Sequence, residues 1–197
     1  MTKTIAFCLV ALSTQVLIAK VSREVYIIPF ELLMDSSVVG DHFYTTNSTD
    51  YSFANHVDNY LAESARFAVF PTDVASTIQL LQLYNRNAND HLYTTNRSKA
   101  NNIVQTDGYV LENLSPMFVY ETQVCQSVPL YRSYNPGTGD HFYTTSTEMD
   151  ATLGYTYEMI AGYVLPLNVG QIAAAAPSGG DSAPSTCVKV FLSPGSS

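Results

Sequence analysis

The chain has 197 residues, 46% of them hydrophobic, and carries 17 acidic against 9 basic residues for a formal net charge of −8 and a pI near 4.7. That apolar fraction fits one packed domain and argues against a disordered chain, while the length is short for two ordinary domains. The acidic balance and the lack of a basic patch exclude a nucleic-acid binder, because a polyanion is repelled at long range.

The N-terminus reads as a secretory signal peptide over residues 1–19. Lys3 gives a positive start, Ile5 to Ile18 is mostly apolar, and the small residues Ala11, Ser13 and Ala19 offer cleavage points. Ser13, Thr14 and Gln15 interrupt the run, so it is too short for a membrane anchor, and no later segment suits membrane insertion.

The next stretch, 26–170, reads as one β domain of three tandem repeats, at about 26–77, 78–127 and 128–169. Asp41-His42-Phe43-Tyr44-Thr45-Thr46 recurs as Asp90-His91-Leu92-Tyr93-Thr94-Thr95 and as Asp140-His141-Phe142-Tyr143-Thr144-Thr145. The flanks recur too: Tyr60 and Glu63 match Tyr109 and Glu112, then Tyr155 and Glu158. Repeat 3 shows the expected elements best. Val128 to Tyr134 is a strand, Asn135 to Asp140 a turn, and His141 to Thr145 a second strand. Ser146 to Gly154 has helical capacity. Tyr155 to Met159 and Gly162 to Leu165 read as two further strands about a short turn. Four strands in each of three repeats predict an all-β fold, with a β-trefoil as the expected architecture and another three-fold closed β-structure as the alternative.

Residues 171–197 read as an Ala/Pro/Ser/Gly linker and tail, with a last strand within Thr186 to Leu192. Once Cys8 leaves with the leader, Cys125 and Cys187 remain as an even pair, the expected disulfide of a secreted chain. Asn-X-Ser/Thr sequons stand at Asn47, Asn96 and Asn113, the last weakened by Pro116. Asn47 and Asn96 are the expected glycosylation sites.

Strand alternation puts Phe43, Leu92 and Phe142 toward the core. His42, Tyr44 and Thr46, with His91, Tyr93, Thr95 and His141, Tyr143, Thr145, then form strips on the opposite face. Such strips suit sugars, which offer apolar C–H faces and hydroxyl edges, although the absence of Trp removes the larger stacking platform. The alternative is structural: each Asp caps backbone N–H groups at a turn while its His bonds across strands. Catalysis is disfavoured, since no Gly-X-Ser-X-Gly elbow exists and an Asp-His pair repeated three times suits scaffold or multivalency. No two His sit two or four residues apart, which disfavours a metal centre, and nothing implies a cofactor.

Pro129-Leu130-Tyr131-Arg132-Ser133-Tyr134-Asn135-Pro136, then Gly139 to Thr145, and later Gly154-Tyr155 with Glu158 to Val164, resemble a tandem-repeat family of unassigned function. That family occurs in secreted fungal proteins and beside bacterial cell-wall hydrolases. The resemblance spans about Tyr26 to Leu167 and implies an accessory binding role. Repeat 3 keeps the pattern best, while repeat 2 has Leu81 and Gln82 for Tyr131 and Arg132. The expected ligand site is therefore Tyr131, Arg132, Tyr134, His141 and Tyr143, with His91 and Tyr93 in repeat 2. The expected ligand is a glycan or cell-wall polysaccharide, bound weakly at several sites. The competing expectation is a secreted protein partner, met by a loop such as Tyr51 to Asn59 in a protease inhibitor or effector.

Overall fold

A computed structural model describes residues 25–29, 31–35, 40–58, 60–63, 67–146, 154–167 and 190–192. The expected leader, most of the expected linker and Cys187 lie outside the described residues. The described part is β-rich, with two short helices. In chain order the elements are β1 (Val25–Pro29), β2 (Glu31–Asp35), β3 (His42–Thr45), α1 (Ser48–His56), β4 (Tyr60–Glu63) and β5 (Phe67–Val69). Then come β6 (Thr77–Asn85), β7 (Asp90–Thr94), α2 (Arg97–Thr106) and β8 (Val110–Tyr120). Last are β9 (Val128–Asn135), β10 (Asp140–Thr144), β11 (Thr156–Pro166) and β12 (Val190–Leu192). Each hexapeptide forms β3, β7 or β10, the second strand of a hairpin with β2, β6 or β9. The expected tail strand is present as β12, parallel to β1.

The hairpin turns follow from local chemistry. The Asn85 side chain accepts from Asn87 N–H at 2.9 Å and Ala88 N–H at 3.1 Å, and the Asn135 side chain accepts from Gly137 N–H at 2.9 Å. Gly139 closes the third turn at φ +81°, a left-handed conformation that costs glycine little. After the second hexapeptide, Asn96 caps α2 by accepting from Lys99 N–H at 2.8 Å, and after the first, Asn47 caps α1 from Thr49 N–H at 2.8 Å. Ala100 and Ile103 pack α2 onto Leu81, Leu83 and Leu92.

The strand count differs from the expectation of four per repeat. The segments Tyr155 to Met159 and Gly162 to Leu165 are not two strands about a turn but one strand, β11. It shifts register between Tyr157 and Met159 and again between Ile160 and Gly162. β8 is likewise continuous, with a register shift against β6 between Leu80 and Gln82. A bulge bends a strand without ending its pairing, which is why a sequence resembling a turn stays in the ladder. The shift also accommodates Pro116, which has no N–H to offer a regular ladder. In the first repeat β4 and β5 are separate, pairing with β2 and with β1 and β11.

Three segments meet pairwise at the far ends of these strands. β11 pairs with β5 at Leu165–Ala68 and with β8 at Tyr163–Tyr120, and Phe70 exchanges backbone hydrogen bonds of 2.9 Å with Phe118. Gly162 is required at this junction: a Cβ there would stand 2.6 Å from Val119 Cγ2. The main core, with Tyr44, Tyr93, Tyr143, Val69, Leu80, Val119, Leu130 and Val164, draws on all three sequence repeats.

Candidate functional site

The hexapeptide strands are buried on both faces, which corrects the expected surface strips. Phe43 packs with Ala54 and Tyr60, and Leu92 packs with α2, within their own repeats. The opposite face, carrying Tyr44, Tyr93 and Tyr143, meets the centre of the molecule instead of water. There the phenols form a cycle. Tyr93 Oη donates to the Tyr44 carbonyl at 2.8 Å and accepts from Tyr44 N–H at 2.9 Å. Tyr143 does the same to Tyr93 at 2.8 and 2.7 Å, and Tyr44 to Tyr143 at 2.8 and 2.8 Å. The rings meet edge to face with centroids 5.3–5.6 Å apart. Each hydroxyl thus satisfies one buried N–H and one buried C=O that would otherwise be orphaned, a task phenylalanine cannot perform. Burial pushes the Tyr93 and Tyr143 phenols above their ordinary value, so they stay protonated and able to donate.

A second cycle runs beside it. Asp41 Oδ1 accepts from His91 N–H at 2.8 Å and its Oδ2 lies 2.6 Å from His91 Nδ1. Asp90 holds His141 at 2.8 and 2.7 Å, and Asp140 holds His42 at 3.0 and 2.6 Å. A hydroxyl from the Asp's own repeat completes each carboxylate: Tyr60 on Asp41 at 2.6 Å, Tyr109 on Asp90, and Tyr155 on Asp140. The structural reading of Asp-His is therefore the right kind, but its geometry is different: the partner is the next hexapeptide, not the local turn. The recurring tyrosine downstream of each hexapeptide, recognised as a repeat marker, is the third member of each cluster. Burial, then the Asp90 charge, raises the Tyr109 phenol; burial, then its hydrogen bond to Asp140, raises Tyr155.

Ligand atoms of Asp41, Asp90 and Asp140 lie within 4.8 Å of one another, all fully buried. Each carboxylate already accepts a backbone N–H, a histidine and a phenol, so the trio is built as a staple between repeats. His91 Nε2 stands 3.7 Å from Glu112, and His141 Nε2 3.6 Å from Glu158. In repeat 3 Arg132 Nε donates to Glu158 at 2.7 Å, while Nη1 is buried with no hydrogen-bond partner among the described residues. In repeat 2 an uncharged donor replaces the guanidinium, with Gln82 Nε2 donating to Glu112 at 2.8 Å.

The expected ligand residues thus divide. Tyr143 (1% exposed), Tyr93, Arg132 (2%), His91 and His141 lie inside, where no sugar reaches them without unfolding. Tyr131 and Tyr134 are half-buried; Tyr131 meets Tyr157, 48% exposed, edge to face at 6.1 Å, while Tyr134 packs on His141. Beside this outer pair lies a cleft of about 620 Å³ where repeats 2 and 3 meet, lined among others by Thr95, Asn96, Arg97, Glu121, Ile160 and Tyr163. Tyr131 is the cross-strand partner of Ile160, which lines the cleft, so the tyrosine pair stands one strand pairing away from it. Sequence reasoning missed Arg97, Glu121 and Tyr163, because nothing in their spacing announces that a helix start and a bulged strand meet.

The expected insertion loop Tyr51 to Asn59 is largely helix, since α1 runs to His56. Cys125 is half-buried beside Phe70 and Tyr120, and its expected partner Cys187 lies outside the described residues. Asn96 is exposed and Asn47 half-buried; Asn113 falls in β8. No helix among the described residues is long and apolar enough to cross a membrane.

A family model described as a domain of unknown function, DUF5648, matches residues 34–165. No curated protein and no solved structure matches the chain.

Proposed function

Because the chain belongs to the DUF5648 family, whose description assigns no function, we propose from its own geometry that it is a secreted, non-catalytic module that binds glycans or cell-wall polysaccharide at the cleft between repeats 2 and 3. The observation that carries this is a cleft lined by Arg97, Glu121 and Tyr163 that lies one strand pairing from Tyr131 and the exposed Tyr157. Tyr131, Tyr157 and Tyr163 offer ring faces and hydroxyls, while Arg97, Ser98 and Glu121 offer hydrogen bonds of both senses, as a sugar requires. The Asp-His pairs, the one motif suggestive of a hydrolase, are committed to joining repeats. This supports the non-catalytic reading.

Architecture belongs to the same reading. The two cycles and the pairwise junction of β5, β8 and β11 support closure of three repeats about one axis, as in a β-trefoil or a related three-fold β-structure. The continuous bulged strands favour the related form. Cys125 pairs with Cys187 in this scheme, because Cys8 belongs to the leader; mass mapping of unreduced peptides tests that pairing.

The deciding test is binding of purified protein to a glycan array and to chitin, β-glucan and peptidoglycan. Tyr157→Ala, and Tyr163→Phe, which keeps the ring packed on the Phe70–Tyr120 cluster, should lower saturable binding with little change in thermal midpoint. No saturable binding by a verified folded sample overturns the reading for those ligands. A protein partner is the second reading, favoured by Phe53, Val57 and Leu61, all more than half exposed on α1, its C-cap and β4. Capture that survives Tyr163→Phe but is lost with Phe53→Ser would favour it.

A further inference from the structure

The cleft and one sequon share a residue. Asn96 lines the 620 Å³ cleft together with Arg97 and Ser98, the rest of the Asn-Arg-Ser sequon. Its backbone is fixed as the cap of α2, and its Oδ1 accepts from Lys99 N–H at 2.8 Å. With the oxygen held by the helix, Nδ2 is the free end of an exposed amide at the cleft margin. Across the opening stand Ile160 and Tyr163 from β11, and Glu121 follows β8. The third repeat has Ser146 at the matching position, so it cannot carry an N-linked sugar there.

We propose that Asn96 is N-glycosylated and that its glycan folds back into this cleft, so that the carbohydrate site is occupied in cis by the protein's own sugar. This rests on the reading of a secreted carbohydrate-binding module. In the transfer, Nδ2 forms a bond to the anomeric carbon of an activated glycosyl diphosphate. The C–O bond to the diphosphate breaks, the diphosphate leaves with the bonding electron pair, and the Nδ2 proton passes to a base of the transferase. The N-glycosyl amide keeps its carbonyl, so the cap on α2 survives. Tethering raises the local sugar concentration to about the millimolar range, enough for a weak site to be filled by an attached ligand.

The test uses the full chain secreted from a eukaryotic host. Endoglycosidase release of the Asn96 glycan is followed by peptide mass, in native and in denatured protein. The expected result is occupancy at Asn96 and release at least about ten-fold slower from the native form, equivalent to about 1.4 kcal/mol of protection. Tyr163→Phe, which keeps the ring packed on the Phe70–Tyr120 cluster, and independently Arg97→Ala, should bring the native rate toward the denatured one in a protein of unchanged thermal midpoint. An unmodified Asn96, equal native and denatured rates, or protection indifferent to both substitutions overturns the proposal. The full chain secreted in the presence of an inhibitor of N-glycan assembly carries no Asn96 sugar, leaves every cleft residue in place and separates the two readings. Free-glycan binding by this unglycosylated protein, with a freely cleaved Asn96 sugar in the glycosylated form, defeats self-occupancy and leaves the module reading standing. Protection that depends on Tyr163, without free-glycan binding by the unglycosylated protein, does the reverse.

Discussion

Tyr143 on β10 and Tyr131 on the adjacent β9 lie one register step apart in one ladder, yet they belong to different regions of the molecule. The inner tyrosines serve each other: ring edge against ring face, hydroxyl against the backbone of the next strand. The outer ones, Tyr131, Tyr157 and Tyr163, border water and a cleft. Burial, not residue type, separates the scaffold from the proposed binding surface, and the two regions should respond oppositely to the same substitution.

The largest effect expected is Tyr143→Ala. Loss of a buried ring costs about 3–5 kcal/mol. The two backbone groups left unpaired add about 1–3 kcal/mol each. That approaches the whole stability of a typical domain, about 5–15 kcal/mol. Urea unfolding followed by circular dichroism should show no cooperative transition; a stable fold would mean the inner ring is dispensable. Next is Asp90→Asn, which breaks one staple by turning an acceptor against the His141 and Tyr109 donors, at about 3–5 kcal/mol. Asp41→Asn and Asp140→Asn should cost similar amounts if the three staples are equivalent. Tyr93→Phe keeps the ring and removes only the hydroxyl, for about 1–3 kcal/mol from each of two backbone groups left unsatisfied.

A milder disturbance is alkali. Burial raises the phenols of Tyr93, Tyr143, Tyr109 and Tyr155 above the ordinary value of 10.0. The folded state then binds more protons than the unfolded state once the pH passes that value. Stability from these groups is fully present below pH 10.0 and falls as pH rises toward the folded values. Urea midpoints should drop above that pH together with cooperative growth of tyrosinate absorbance. Smallest in stability is Tyr157→Ala on the outer face, expected within about 0.5 kcal/mol of the parent. Glycan binding should fall in that variant while its fold stays intact, which would sharpen the division between ring and cleft.

Much of this was legible in the sequence. The recurrence of Asp-His-(Phe/Leu)-Tyr-Thr-Thr identifies equivalent strands, and the Asn-Pro-Gly-Thr-Gly run marks a turn because those side chains cap local N–H groups. Asn47 and Asn96 serve as helix caps whether or not they bear sugar, so the sequon had a structural reading beside it. The facing of His and Tyr was not legible. Alternation says which residues share a face, and it says nothing about whether that face meets water or another repeat. The bulges of β8 and β11 were hidden for a related reason: a glycine or proline signals a break in the pattern, while tertiary pairing decides whether the chain turns or stays in the ladder.

By itself, then, the sequence determined an all-β chain with a recurring strand–turn–strand unit, because local propensity and periodicity are properties of neighbours along the chain. Only the tertiary structure decided that Asp41 serves His91, that Tyr44 serves Tyr143, and that a cleft opens beside Asn96. Those contacts join residues about fifty or more positions apart, or bring separate repeats together, and their energies depend on solvent exclusion that no local pattern records.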